Sequence, residues 1–243
     1  AACFREDALS AMAEIAAAGR VPLLVGGTML YFRALQRGLS ALPESDPALR
    51  ASLAERLQRE GAESMHRWLA DVDPAAAERI HPNDPQRVAR ALEVYLLSGE
   101  PMSRLWRAGS GQPLPYRLLK LVRSPRERSV LHTRIAERFD AMLADGFETE
   151  VRTLLRRRDL DPELPSMRCV GYRQMLQYLR GEYSFEEMTR RAVAATRQLA
   201  KRQYTWLRAE PGCRWLYDDD VVVAMAARAV EELLATSPAG RGA

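Results

Sequence analysis

Lysine is nearly missing from this chain: of 36 basic residues, only Lys120 and Lys201 are lysines. Neither follows a glycine, so no G-x-x-x-x-G-K-[ST] phosphate loop occurs anywhere in the 243 residues. Cysteine is scarce too. Cys3, Cys169 and Cys213 lie far apart with no C-x-x-C pair, which argues against a disulfide framework or zinc module and fits a reducing cytoplasm. No apolar run approaches the roughly 18 residues of a membrane span, and no signal peptide is visible. The three histidines, His66, His81 and His132, have no metal-ligand spacing and are expected at the surface or as caps. No metal ligand is expected from this chain. A composition 47% hydrophobic and 28% charged excludes collagen-like, low-complexity and wholly disordered chains. The length suits one large domain, or a core with an inserted lobe.

What is present is arginine. With 36 basic and 32 acidic residues the formal charge is only +4, a surplus too small to identify a nucleic-acid binder. Arginine offers planar, bidentate recognition of phosphate and carboxylate, although a GC-rich genome enriches it as well. The chain opens on Ala1, and AACFREDALSAMAEIAAAGR reads as a helix already under way. The sequence is therefore expected to be a piece of a longer protein.

After a stop at Gly19, VPLLVGGT (Val21 to Thr28) is an apolar run closed by two glycines, and MLYFRALQRG returns to helical spacing. Helix, buried strand, glycine turn, helix is the grammar of a parallel α/β sheet. RLLKLVR, at 117–123, is a second expected strand. Residues 41–116 read instead as short helices, acidic by eleven residues to seven over 41–100, with Pro43, Pro113 and Pro115 near the ends. They form an expected helical insertion between core segments 1–40 and 117–243. In the last third, Ser124-Pro125-Arg126-Glu127 and Ser184-Phe185-Glu186-Glu187 read as two capping boxes. Gly146 is an expected helix stop, CRWLYDDD an expected late strand, and SPAGRGA an expected disordered tail.

Three features suggest chemistry. At about 100° per residue, Met188, Ala192, Ala195, Leu199 and Trp206 share one side of a helix ending near Arg208, while Arg190, Arg197, Lys201 and Arg208 share the other. Residues 168–208 hold nine basic residues against three acidic ones, the footprint of a phosphate-backbone contact. A solvated helix face is the plain alternative, but the stripe has no acidic partners at i,i+4 to relieve its self-repulsion. Secondly, Arg138 falls in the apolar arc of Leu131, Ile135, Phe139 and Met142. A guanidinium aimed at a core needs an anion, either a buried carboxylate or a phosphate ligand. Thirdly, Gly26-Gly27-Thr28 lies where an α/β sheet binds ligands. Trp106, Trp206 and Trp215 are expected in the core.

LLVGGTMLYFRAL, RIHPNDPQRVARALEV, LPSMRCVGYRQM and ATRQLAKRQYTWLR closely resemble the bacterial tRNA dimethylallyltransferases, also called isopentenylpyrophosphate transferases, from the first residues to about residue 217. The resemblance implies a P-loop-NTPase-like α/β core carrying a helical insertion that grips the anticodon stem-loop, predominantly helical overall. It implies transfer of a dimethylallyl group from dimethylallyl diphosphate to the exocyclic amine of the adenine on the 3′ side of the anticodon, with Mg2+ entering on the diphosphate. That adenine is flipped into a channel, as enzymes working on a base require. Position by position, the resemblance assigns tRNA contacts to Thr28, Arg50, Gln86, Arg87, Val88, Ala89 and Arg90. It assigns a further stretch, Arg168, Cys169, Val170, Gly171, Tyr172 and Arg173, and a last one, Lys201, Arg202, Gln203, Tyr204, Thr205, Trp206, Leu207 and Arg208. Arg138 matches an arginine used on the diphosphate, and Thr28 a residue of the catalytic site.

One departure matters. The family opens with a phosphate loop ending in Gly-Lys-Thr and an Asp-Ser-Ala-Leu motif whose aspartate acts as general base, and neither occurs here. The chain is therefore expected to lack N-terminal strands of the core, to keep most of its tRNA-facing surface, and to show little or no transfer. A cytoplasmic monomer without membrane association is expected. Two rivals stand beside this reading: an isopentenyltransferase acting on free adenine nucleotides, and a non-catalytic RNA-binding module.

Overall fold

The computed structural model describes residues 1–107, 114–157, 159–161, 164–218 and 221–236; Pro113 and the tail SPAGRGA lie outside the described residues. The described residues are mostly helical with one small parallel sheet, the composition of elements expected from the sequence. They divide into two compact units, residues 1–116 and residues 117–243.

In the first unit, α1 (Ala2–Ala17) and α2 (Met29–Arg37) pack together, with Phe4 stacked on Tyr31 at a 4.5 Å ring separation. Between them, Val21 to Thr28 forms neither helix nor strand, contrary to the sequence expectation. The physical reason is the missing ladder: no strand forms among the described residues of this unit, so the run has no neighbouring strand to pair with. Leu23 and Val25 are accordingly 81% and 87% exposed.

Four helices follow, α3 (Pro47–Val72), α4 (Pro74–Arg79), α5 (Pro85–Ser98) and α6 (Met102–Arg107). Three of them start at an Asp-Pro pair. Asp46 accepts from the amides of Ala48 and Leu49, Asp73 from that of Ala76, and Asp84 from that of Arg87. In each case the aspartate caps orphan amides while the proline fills the first helical position, where no donor is needed. Asp73 is itself buried and also accepts from the Ser103 amide at 2.8 Å, tying α6 to the start of α4. Leu53, Met65, Leu69, Ile80, Val88 and Leu92 make the core. His66 caps the end of α4, its Nε2 lying 3.1 Å from the Ala77 carbonyl and 2.8 Å from that of Ile80.

In the second unit, β1 (Lys120–Ser124) and β2 (Cys213–Tyr217) pair in parallel, Val122 opposite Trp215. Both expected strands of this region therefore form. Around them run α7 (Arg128–Ala144), α8 (Phe147–Leu155), α9 (Tyr172–Leu179), α10 (Phe185–Ala209) and α11 (Val222–Ala235). Phe139, Phe147, Val151, Met175, Met188 and Ala192 form this unit's core. Gly146, with φ +96°, ends α7 as expected. The capping box at Ser124 does not form: Ser124 is the last residue of β1, its hydroxyl donating to the Pro125 carbonyl, and α7 begins four residues later without a side-chain cap. The strand's ladder claims Ser124 first. The second box is half right. The Ser184 hydroxyl accepts from the Glu187 amide at 3.2 Å, but the Glu187 carboxylate turns to arginines instead of back to the cap.

Candidate nucleic-acid interface

α10 carries the basic face, and its packing is not the straight stripe that the periodicity suggests. Met188 and Ala192 are buried against the α8–α9 core. Further along, the half-buried side rotates toward Ala200, Tyr204 and Leu207. Tyr204 there meets the Ser124 hydroxyl and stacks on Trp215. This rotation leaves Leu199 exposed and Trp206 41% exposed, so Trp206 is not the core residue expected. It also draws Arg197 into a half-buried position, where its Nη2 donates to the His132 carbonyl at 3.4 Å.

The remaining cations stay outside. Lys201 and Arg202 are exposed and make no ion pair among the described residues. Arg208, also exposed, lies over the Tyr204 ring at 5.7 Å. Aromatic rings run on from Tyr204 through Trp215 to Tyr217, which Arg126 covers at 4.2 Å. This ladder fixes the last two turns of α10 on the sheet.

The loop before α9 adds to the same unit's positive surface. Gly171 takes φ +96° and its amide donates to Gln174 Oε1 at 2.9 Å. A side chain at 171 would be strained in that conformation. The turn exposes Arg168, Cys169 and Arg173, half-buries Val170 and Tyr172, and buries Gly171 itself. The Tyr172 ring meets Phe147 edge-on at 5.3 Å, and its hydroxyl donates to Glu150. That hydrogen bond, with burial and the charge of Glu150, pushes its pKa up to about 12.

Between α9 and α10 lies a cleft of about 410 Å³ bordered by Arg173, Gln177, Arg190, Arg191 and Gln198. One carboxylate serves it. Glu187 receives Arg190 Nη2 and Arg191 Nε, each at 2.6 Å. Their hydrogen bonds and charges hold its pKa near 2. Two guanidiniums on one acid leave the cleft net positive, a geometry suited to an oxyanion. Contrary to the expectation that the stripe lacks acidic partners, Glu187 in the helix's first turn supplies one, at i,i+3 to Arg190 and i,i+4 to Arg191.

Arg138 is placed otherwise than expected: it is exposed, not aimed at a core. The buried side of α7 centres on Phe139, with the expected Leu131, Ile135 and Met142 half-buried on one flank and His132, Ala136 and Leu143 on the other. At about 100° per residue, that side lies roughly a quarter turn from Arg138. No carboxylate needs to meet it, and it is open to an anionic ligand from solvent.

In the first unit, Thr28 is exposed at the start of α2 and lines an apolar groove of about 440 Å³ with Met12, Ile15 and Phe32. Arg50 is exposed on the first turn of α3, and Gln86 and Arg87 on that of α5, where Arg87 pairs with Asp84 at 2.9 Å. Val88 is buried in the helical core and Ala89 half-buried. Arg90 is engaged with Glu93 at 2.6 Å and with the Pro43 carbonyl at 2.8 Å. Glu93 is a residue that sequence reasoning missed. Its i,i+3 spacing to Arg90 was the available signal, and burial of a glutamate is what no pattern announces.

The described residues contain no group of three or more His, Cys, Asp or Glu placed to hold a metal ion, and no helix long and apolar enough to cross a membrane. The second unit is thus a helical α/β unit with a small parallel sheet and a concentrated arginine surface. Residues 1–210 match the IPP transferase family, to which the chain belongs. Its activity is accordingly isopentenyl transfer to tRNA. The chain is similar to the full-length tRNA isopentenylpyrophosphate transferase of Bacillus halodurans, with 32% identity over 96% of this chain and 72% of that one and a TM-score of 0.60. It is similar to the tRNA Δ(2)-isopentenylpyrophosphate transferase of Staphylococcus epidermidis at 27% identity, over 96% and 76% of the two chains, with a TM-score of 0.58. A eukaryotic dimethylallyltransferase acting on tRNA superposes with a TM-score of 0.72 at 25% identity, over 97% of this chain and 62% of that one. These neighbours are tRNA prenyltransferases with a P-loop-like fold.

Proposed function

We propose that this chain serves transfer of a dimethylallyl group from dimethylallyl diphosphate to the exocyclic amine of the adenine on the 3′ side of the tRNA anticodon. The observation that carries the reading is the surface of α10 and the Gly171 loop. Lys201, Arg202 and Arg208 stand exposed on α10 and Arg173 on the loop's edge, and a phosphate backbone supplies anions for them. The insertion at 41–116 takes part of the anticodon stem-loop through Arg50, Gln86 and Arg87. Within the other two stretches, exposed Arg168 and Cys169 and the face of Thr205 and Trp206 offer further contacts. Buried Gly171 and half-buried Val170, Gln203 and Leu207 shape the backbone that presents them.

In the reaction, the adenine nitrogen forms a bond to the first carbon of the allyl group as the carbon–oxygen bond to diphosphate breaks. The bonding pair leaves with the diphosphate, and the amine proton passes to a base. Arg138, exposed on α7, is suited to the leaving diphosphate, and Thr28 contacts the tRNA near the reacting adenine. Mg2+ is expected to travel with the diphosphate. The described residues give it no ligand set of their own. The 243 residues also contain neither a Gly-Lys-Thr phosphate loop nor the Asp-Ser-Ala-Leu base. We therefore expect tRNA binding with little or no turnover from this chain alone, as a monomer in the cytoplasm.

The test offers the chain an anticodon stem-loop RNA and, separately, AMP, each with dimethylallyl diphosphate. Stem-loop binding without AMP binding and without product is expected. AMP binding would favour an enzyme of free nucleotides, and turnover at rates usual for enzymes would refute the inactivity.

A further inference from the structure

Arg128 and His132 on α7 and Arg197 on α10 converge where these helices pack. Arg128 Nε donates to His132 Nε2 at 3.3 Å, and Arg197 Nη2 donates to the His132 carbonyl at 3.4 Å. The first bond has a consequence for the imidazole. A guanidinium can only donate, so Nε2 must be the bare acceptor nitrogen, and the ring is neutral with its proton on Nδ1. Arg197 Nε, in contrast, is buried and has no hydrogen-bond partner. Arg128 thus adjoins the His132 imidazole and Arg197 reaches the His132 main chain from α10, a basic group with an unmet donor and, among the described residues, no bonded carboxylate.

Among the described residues the neighbouring elements supply none: Asp218, which follows β2, is engaged with Arg123 and Arg134. On α7 itself the group acting on His132 is Arg128, and on α10 it is Arg197. α8 also packs on α7, meeting it at Phe139 and Phe147. Its Glu148 is engaged with Arg152 and its Glu150 with Tyr172. Burial first, then the two guanidiniums, hold the His132 pKa below the ordinary histidine value.

We propose that Arg128, His132 and Arg197 form a phosphate site that takes up a proton on His132 when it is filled. An oxyanion between the three accepts from Arg197 Nε and from Arg128, which gives up its bond to the imidazole. His132 Nε2 then gains a proton and becomes a third donor. The phosphate has two possible sources within the function proposed above, on which this inference rests: the tRNA backbone or the diphosphate of the prenyl donor. Arg138 lies on a different side of α7, about 120° around the helix from His132, so this site is distinct from it.

The sign follows directly. His132 is neutral in the empty site above its depressed pKa, and charged in the filled site up to a raised one. Between those values each binding event absorbs a proton, so affinity falls as pH rises, by up to tenfold per pH unit.

The experiment measures affinity of the 243-residue chain from pH 5.5 to 8.5 at fixed salt, for anticodon stem-loop RNA and for dimethylallyl diphosphate. Wild type and His132→Gln are compared, with circular dichroism confirming the fold of each. The diphosphate's own titration is common to both proteins and cancels. A pH slope in wild type that His132→Gln flattens, with either ligand, supports the site and names its phosphate. Arg197→Lys keeps the charge, so it should retain the slope at reduced affinity; it also serves if His132→Gln unfolds. Salt-sensitive RNA binding with the same pH profile in wild type and His132→Gln overturns this site and leaves the proposed function standing. Absence of binding to both ligands overturns both.

Discussion

The guanidinium of Arg90 lies 2.6 Å from the carboxylate of Glu93, a glutamate only 1% exposed. Burial alone would raise the Glu93 pKa. The Ser45 hydroxyl, Arg90 and the Asp46 amide outweigh it and hold the carboxyl below the usual glutamate value of 4.5. The same four groups pin the chain at 43–46 to α5 and so fix the cap of α3, which carries Arg50. Arg90 is therefore spent on structure.

Arg90→Ala should destabilise the helical unit by about 2 kcal/mol, because it strips a charged hydrogen bond from a carboxylate that stays buried. Denaturant unfolding monitored at Trp68 and Trp106 checks this. A depressed carboxylate pKa contributes stability above the unfolded value and loses it as pH falls through the folded one. Wild type should thus weaken below about pH 4.5, and Glu93→Gln should show a shallower acid dependence. At temperatures where Arg90→Ala is folded, its loss of RNA affinity should be smaller than that of Lys201→Ala.

Glu187 is the single acid between Arg190 and Arg191. Its pKa near 2 keeps it ionised throughout the physiological range. Glu187→Gln removes a negative charge from the cleft and should tighten anticodon stem-loop binding by about two- to fivefold at low salt. Fluorescence anisotropy would read it. Weaker binding would mean that holding the two arginines in place outweighs the repulsion.

Tyr172 behaves in the opposite sense with pH. Its pKa is raised from 10.0 to about 12 by Glu150 and by burial. A raised value contributes stability that is complete below pH 10 and vanishes as pH climbs through about 12. Ultraviolet titration of phenolate should show a step near pH 12 that Tyr172→Phe removes, while the upward shift that burial gives Tyr183 is kept.

Where the sequence read well, the signal was local. The cap at Ser184 and the stop at Gly146 each depend on neighbours within a few residues, and CRWLY has strand composition and finds its distant partner in β1. The misses all depend on what packs from afar. Val21 to Thr28 has the composition of a buried strand but no ladder beside it in its unit. Ser124 has a capping-box pattern, yet pairing with β2 takes it into β1. Trp206 and Arg197 share a helix whose packing side rotates from the α8–α9 core to the sheet, so one wheel projection misplaces both. Leu131, Ile135, Phe139 and Met142 are buried or half-buried as the wheel places them, but Arg138 stands at the edge of that arc and is exposed, because the packing of α10 and α8 on α7 centres on Phe139. Within the basic interface, the surplus of charge over 168–208 was legible from composition. Its division into an open group (Lys201, Arg202, Arg208), a clamped pair (Arg190, Arg191) and a half-buried Arg197 was not.

The central claim is that α10 meets the phosphate backbone of tRNA, and the salt dependence of binding tests it most directly. Affinity for an anticodon stem-loop should be measured between about 50 and 200 mM salt, for wild type and for the Lys201→Glu, Arg202→Glu double variant. The account predicts a steep linear fall of log affinity with log salt in wild type, and a clearly weaker and shallower dependence in the variant. A flat response, or identical slopes for the two proteins, would contradict it.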